Sequence, residues 1–323
     1  MIRTLSIFLS LFLAGSVCVA QPVLIGCDSA SGRDSSELAK IYGVIKPDWV
    51  RSQGVNATDI EATPGVYGFT RLDAMLVQND TTNAFFNGQF QPVSSPLIMF
   101  NIHNPPPWWF VSQTVYIKSE CALVAAILNH APGRLHWIEF INEPNESWLP
   151  GCKTRQDAAT FTARLAVAVR QTILAIDPTV REAGPSLSAP YDDTFISVFA
   201  ANGGAGAITD WTFHDYRMSG TTTNSPTYSP FDTGPNFPPL AGCVAELRKY
   251  ADLPIYVTEL GLGTADNASA YSIKAGKLHI AGLSPTYFLG CGQFLGYWQC
   301  TTNAPKPNGS AFLAALRALN ATP

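Results

Sequence analysis

The sequence predicts an α/β fold, a single (β/α)8 barrel of the TIM type with decorated βα loops. Three observations carry that expectation. Eight short apolar or β-branched runs recur along the chain, at 23–27, 49–53, 97–102, 136–141, 179–183, 210–214, 255–258 and 294–298. Stretches of helical periodicity alternate with them, which calls for parallel strands joined by crossovers. Residues 21–323 number about 303, too few for a second large domain but enough for one barrel.

The clearest helix is expected over 156–176. Phe161, Leu165, Val169, Ile173 and Ile176 recur on one face, Thr154 and Asp157 form a capping box, and Asp177-Pro178 stop it. Further helices are expected at 34–42, 120–129, 192–201, 240–250, 267–281 and 310–319. Segments rich in Pro, Gly, Thr and Asn, at 81–95, 104–109 and 218–239, read as loops. None resembles a flexible linker between two cores, and no G-x-G-x-x-G or P-loop argues for an open doubly wound sheet.

Composition narrows the function. The chain is 46% hydrophobic and 14% charged, which suits a sizeable core and excludes extended disorder. Its formal net charge is −4, with no basic run, so nucleic acid and anionic membrane surfaces are poor partners and a neutral ligand suits it better. Arg3, the apolar stretch 5–17 and the small-residue end at Cys18-Val19-Ala20 have the layout of a secretory signal peptide, with cleavage expected near Ala20 and a secreted product.

Six cysteines follow the signal (Cys27, Cys121, Cys152, Cys243, Cys291 and Cys300), so up to three disulfides are expected in an oxidising compartment, Cys291 with Cys300 by nearness. There is no CxxC pair to suggest zinc. Sequons at Asn56, Asn79, Asn145, Asn267, Asn308 and Asn320 permit glycosylation in a eukaryotic host, with Asn145 the expected exception because a glycan beside Glu143 would obstruct the candidate site.

Two apolar strands end in a carboxylate: Trp137-Ile-Glu-Phe-Ile-Asn-Glu-Pro-Asn145 and Tyr256-Val-Thr-Glu-Leu-Gly261. C-terminal strand ends converge on the active face of a barrel, so Glu143 after strand four and Glu259 on strand seven should face one another. Two facing carboxyls, one protonated and one ionised, are what glycoside hydrolysis requires. A salt bridge or a helix cap is the alternative for either Glu taken alone.

These motifs resemble the clan A glycoside hydrolases, with family 39 the nearest. The resemblance covers the whole barrel. Asn142-Glu143-Pro144 matches the clan's acid/base with the Asn that holds the sugar 2-hydroxyl, and Thr258-Glu259 matches its nucleophile, 116 residues on. It further implies that Arg51 holds the nucleophile ionised, that His214 and Tyr216 flank Glu259, with Tyr216 donating to it, and that His103 contacts the sugar. Trp298, at the end of strand eight, would be the platform beneath that sugar. The bland readings are a packed core aromatic for Trp298, structural histidines for His103 and His214, and a surface ion pair for Arg51.

The implied mechanism is retaining, with the two carboxyls about 5–5.5 Å apart, Glu143 kept protonated by its negative neighbour, and no metal or organic cofactor. There is no room for the β-sandwich that family 39 xylosidases usually carry beside the barrel. That favours a monomeric, endo-acting enzyme on a β-linked polysaccharide or oligosaccharide, with Trp108, Trp109 and Trp148 as candidate subsites. A transglycosylase or an exo-acting, β-xylosidase-like enzyme would use the same residues. A non-catalytic carbohydrate-binding barrel would not need both carboxylates, and a metal-dependent hydrolase would want an H-x-H on the first strand, which is missing.

Overall fold

A computed structural model describes residues 24–28, 46–52, 55–86, 96–146, 149–188, 192–218, 240–262, 283–287, 298–299, 304–305 and 307–321. Eight strands form a closed, all-parallel barrel in chain order. They are β1 (Gly26–Asp28), β2 (Trp49–Arg51), β3 (Leu97–Asn101), β4 (Trp137–Glu139), β5 (Arg181–Leu187), β6 (Asp210–Met218), β7 (Ile255–Leu262) and β8 (Leu283–Tyr287). β8 closes onto β1 through Gly26 opposite Thr286 and Cys27 opposite Tyr287. The predicted fold class is therefore observed.

Side-chain alternation explains the interior. Trp49, Met99, Trp137, Ala183 and Tyr256 point inward and pack as one apolar layer. Trp49 and Trp137 meet Tyr256 edge to face, at centroid distances of 5.4 and 5.6 Å. Gly26 sits opposite Trp49 in register, and a Cβ there would fall inside the indole ring. Two residues further along each strand the same parity brings Arg51, Asn101, Glu139 and Thr258 inside, all buried. The barrel is thus apolar below and polar at its mouth.

The strand exteriors pack against the helices α1 (Ala57–Ile60), α2 (Thr70–Phe86), α3 (Gln113–His130), α4 (Arg155–Ile176), α5 (Asp193–Ala201), α6 (Gly204–Ala207), α7 (Leu240–Tyr250) and α8 (Pro307–Asn320). α4 starts at the expected box: Thr154 Oγ1 accepts from Asp157 N at 3.1 Å, and Asp157 Oδ2 accepts from Thr154 N at 2.9 Å. Its length and apolarity would let it cross a membrane, but Phe161, Leu165, Val169 and Ile173 are spent in the core. Each is worth ~1.5–3 kcal/mol when fully buried. α3 begins at Ser112, whose hydroxyl accepts from Val115 N.

Several expectations need correction. The eighth strand is Leu283–Tyr287, not 294–298, so Trp298 lies eleven residues beyond it, in a two-stranded ribbon where Trp298–Gln299 pairs with Ala304–Pro305. Pro285 hid the true strand, since proline cannot donate to a ladder, yet here it sits in register with Val257 and is buried. β5 is Arg181–Leu187, so it starts two residues later than expected and runs on past 183 through Gly184-Pro185. Residues 81–86, read as loop, continue α2, whose buried face is Leu72, Met75, Leu76 and Asn79.

Cys121 and Cys152 carry free thiols, both with pKa pushed up by burial, so the full set of three disulfides does not form. Asn79 and Asn145 are buried and cannot present a glycan acceptor. The signal segment, the helices expected at 34–42 and 267–281, Asn267, and Cys291 with Cys300 lie outside the described residues.

Candidate active site

At the C-terminal mouth the Arg51 guanidinium, fully buried, spans three acceptors. Its Nε donates to Glu139 Oε2 at 2.6 Å, Nη1 to Glu259 Oε1 at 2.6 Å and Nη2 to Asn142 Oδ1 at 2.9 Å. A surface ion pair is therefore ruled out for Arg51. The planar fork suits this task, because a single guanidinium reaches three partners in fixed directions. Glu139 also accepts from Asn101 Nδ2 at 2.8 Å, so the partner that holds Arg51 is itself fixed by β3.

Glu259 reaches the mouth through a break in the β6–β7 register. Phe213 pairs with Val257 but the next residue, His214, pairs with Glu259, leaving Thr258 extra. Such a bulge re-aims a side chain, so Thr258 and Glu259 escape strict alternation.

Glu143 lies four residues past β4 with φ of 46°, a left-handed conformation that costs a non-glycine residue about 1 kcal/mol or more. Its amide donates to the carbonyl of Ser186 at 2.9 Å, and Ser186 itself has φ of 52°. Two adjacent strained residues thus lock each other at the mouth.

His214, fully buried, joins the two carboxylates. Its Nδ1 is 2.7 Å from Glu143 Oε1, and its Nε2 is 2.9 Å from Ser186 Oγ and 3.5 Å from Glu259 Oε1. One ligand atom from each of Glu143, His214 and Glu259 lies within 4.8 Å of the others.

His103, half-buried after β3, has its Nδ1 3.4 Å from the Asn101 carbonyl; burial first, then the charge of Arg51, lowers its pKa, so its ring is neutral at pH 7. Tyr216 lies in β6 two residues past His214, and its side chain lies outside the described residues, as do those of Trp298 and Trp148. Trp109 is no subsite: it is fully buried, donates from Nε1 to Glu61 Oε2 at 2.8 Å and meets Tyr116 edge to face. Trp108 is half-buried against the same core.

The structure therefore brings together Arg51, Asn142, Glu143, His214 and Glu259, with His103 within electrostatic reach. Sequence reasoning missed Glu139 and Ser186. Glu139 shares the inward parity of Trp137, a signal already present in the strand; Ser186 was lost with the second half of β5.

No protein-family profile and no curated protein matches this sequence. Solved structures share the fold. A β-glycosidase superposes with a TM-score of 0.63 at 13% identity, covering 88% of this chain and 85% of that one. A family 10 endo-β-1,4-xylanase from Gloeophyllum trabeum gives 0.62 at 12%, covering 92% and 97%. A monomeric β-xylosidase from Caulobacter crescentus gives 0.61 at 17%, covering 90% and 67%. At such identities the likeness is one of fold, the (β/α)8 barrel of these glycosidases.

Proposed function

We propose that the chain is a secreted retaining glycoside hydrolase of clan A, nearest to family 39, that cleaves a β-linked polysaccharide or oligosaccharide from within. The observation that carries this reading is the pair of carboxylates within 4.8 Å, joined through His214 and with Arg51 fixed on one of them. In this reading residues 1–20 direct export, residues 21–323 form one monomeric catalytic domain, and no cofactor takes part.

The chemistry follows from the contacts. Glu259, held by Arg51, attacks the anomeric carbon as a carboxylate, while Glu143 gives its proton to the departing glycosidic oxygen. The carbon–oxygen bond breaks, the leaving group departs as an alcohol and a glycosyl ester forms on Glu259. Glu143, now ionised, takes a proton from water, and that water releases the sugar with its configuration retained. Asn142, oriented by Arg51 Nη2, meets a sugar hydroxyl in this reading. His103, Tyr216 and Trp298 complete the sugar site in this proposal.

The test is digestion of β-glucans, xylan, mannan and galactans by wild type, Glu143→Gln and Glu259→Gln, with products read by mass spectrometry. One polymer cut to oligomers by wild type, with both variants ~10³-fold or more slower, supports the reading. Tight binding without cleavage by wild type and both variants alike would replace it with a carbohydrate-binding barrel.

A further inference from the structure

Three side chains form a run from the end of β5 to the mouth. Ser186 Oγ lies 2.9 Å from His214 Nε2, and His214 Nδ1 lies 2.7 Å from Glu143 Oε1. Hydroxyl, imidazole and carboxyl in that order make the arrangement of an acyl-transfer triad, but its direction here is reversed. The serine is fully buried, whereas the Glu143 side chain is 33% exposed. No acyl group reaches a hydroxyl so placed, so Ser186 is no nucleophile. What it can affect is the carboxyl at the far end.

Ser186 is committed at every polar group. Its amide donates to Thr212 Oγ1 at 2.9 Å, its carbonyl accepts from Glu143 N at 2.9 Å, and its φ is 52°. Strain of that kind persists only where the surroundings over-determine it, and it gathers at functional sites. A buried hydroxyl hydrogen also needs an acceptor, and the one that faces Ser186 Oγ is His214 Nε2. With the hydroxyl donating to Nε2, a neutral ring carries its own hydrogen on Nδ1 and donates it to Glu143 Oε1.

That tautomer matters to both carboxyls. Oε1 of Glu143 accepts from Nδ1 whether the group is acid or carboxylate, which leaves the acid proton to Oε2. The opposite tautomer would set a bare Nδ1 against Oε1 and pin the proton between them, away from a substrate. It would also aim an Nε2 hydrogen at Glu259 Oε1, 3.5 Å away, and open a proton route from the acid to the nucleophile. We propose that Ser186 is a positioning residue, whose hydroxyl fixes His214 with its hydrogen on Nδ1 and so keeps the Glu143 proton on the oxygen that meets the glycosidic bond. This rests on the hydrolase reading for the use of that proton. In the first step the proton passes from Glu143 Oε2 to the glycosidic oxygen as the carbon–oxygen bond breaks. In the second, Oε2 recovers a proton from water, and the hydrogens of Ser186 and His214 stay in place throughout.

Nitrogen nuclear magnetic resonance of protein labelled at its histidines reads the tautomer without substrate, the His214 signals being those lost in His214→Gln. Wild type should show a protonated Nδ1 and a bare Nε2, and Ser186→Ala should move the hydrogen to Nε2. Ser186→Gly, which deletes the hydroxyl and relieves the φ of 52°, should do the same, and it carries the test if the alanine variant fails to fold. Kinetics then reads the acid. On xylan and β-glucan, whose leaving alcohols need a proton, both variants should lose about tenfold or more in kcat/KM. On dinitrophenyl β-xylobioside and β-cellobioside, whose phenolates leave unaided, they should change by less than about threefold. A wild-type ring protonated at Nε2 or at both nitrogens, a tautomer that survives loss of the hydroxyl, or equal slowing on both classes of substrate overturns the assignment. Cleavage of none of these compounds by wild type removes the hydrolase reading, and the spectrum still decides whether Ser186 sets the His214 tautomer.

Discussion

Arg51 Nη1 lies 2.6 Å from Glu259 Oε1, and the same guanidinium is tied at Nε to Glu139 at 2.6 Å. Glu259 is thus fixed by a cation that is itself anchored on β4. A lysine carries the charge but not the fork, so it cannot reach Glu139, Glu259 and Asn142 together. Arg51→Lys should lower kcat/KM on a cleaved glycoside by ~100-fold or more while the far-ultraviolet spectrum stays native. A drop below threefold would mean that the triple contact does not position the nucleophile.

The backbone at Glu143 offers a test that needs no substrate. With φ of 46°, a side chain there costs strain that glycine avoids. Glu143→Gly and Glu143→Ala both delete the carboxyl, so their difference isolates the conformation. Glu143→Gly should be the more stable by about 1 kcal/mol in urea unfolding, reversing the usual order of glycine and alanine. Equal midpoints would show that the loop relaxes around the strain.

Barrel closure makes a third prediction. Gly26 faces Trp49 across the β1–β2 pair, and a methyl there would enter the indole. Trp49 is fully buried and braced by Tyr256, so it has little room to yield. Gly26→Ala should cost ~1–3 kcal/mol by denaturant unfolding, and Gly26→Ala with Trp49→Phe should recover part of that loss.

His103 gives a pH prediction at the mouth. Burial and then Arg51 lower its pKa below the ordinary 6.5. The folded state therefore binds this proton less readily than the unfolded chain, and stability from this residue is present above pH ~6.5 and lost as pH falls below it. A ring titration by nuclear magnetic resonance should show a midpoint below 6.5, rising toward it on unfolding.

Much of this arrangement was legible in the chain because it follows from period. Glu143 and Glu259 stood out as carboxylates ending apolar strands, and α4 announced itself through Thr154, Asp157 and a sustained apolar face. What escaped depended on local backbone breaks that a periodic reading does not see. The extra residue at Thr258 turns Glu259 inward, and Pro285 occupies a strand that composition argues against. Trp298 drew attention because 294–298 is richer in aromatics than the true strand. Glu139 was missed, since only the register fixed by Trp137 says which face of β4 is the interior.

The same parity places Glu182 on the outside of β5, next to the inward Ala183, where it meets Glu120 of α3 in the layer between sheet and helices. Both carboxyls are fully buried and neither oxygen of either has a hydrogen-bond partner. Burial raises both pKa values well above the carboxylate range; Arg170 opposes this for Glu182, and Glu120 adds to it. The folded state then holds protons that the unfolded chain gives up, so stability falls as pH rises from the unfolded value of about 4.3 through the raised folded ones. Glu120→Gln and Glu182→Gln keep the shape and remove the titration. Each should match wild type in urea unfolding at pH 4 and exceed it by ~1 kcal/mol or more at pH 8, and the double variant should show the flattest profile of all. An unchanged slope between pH 5 and 8 in the double variant would show that water or a movement of Arg170 relieves these charges.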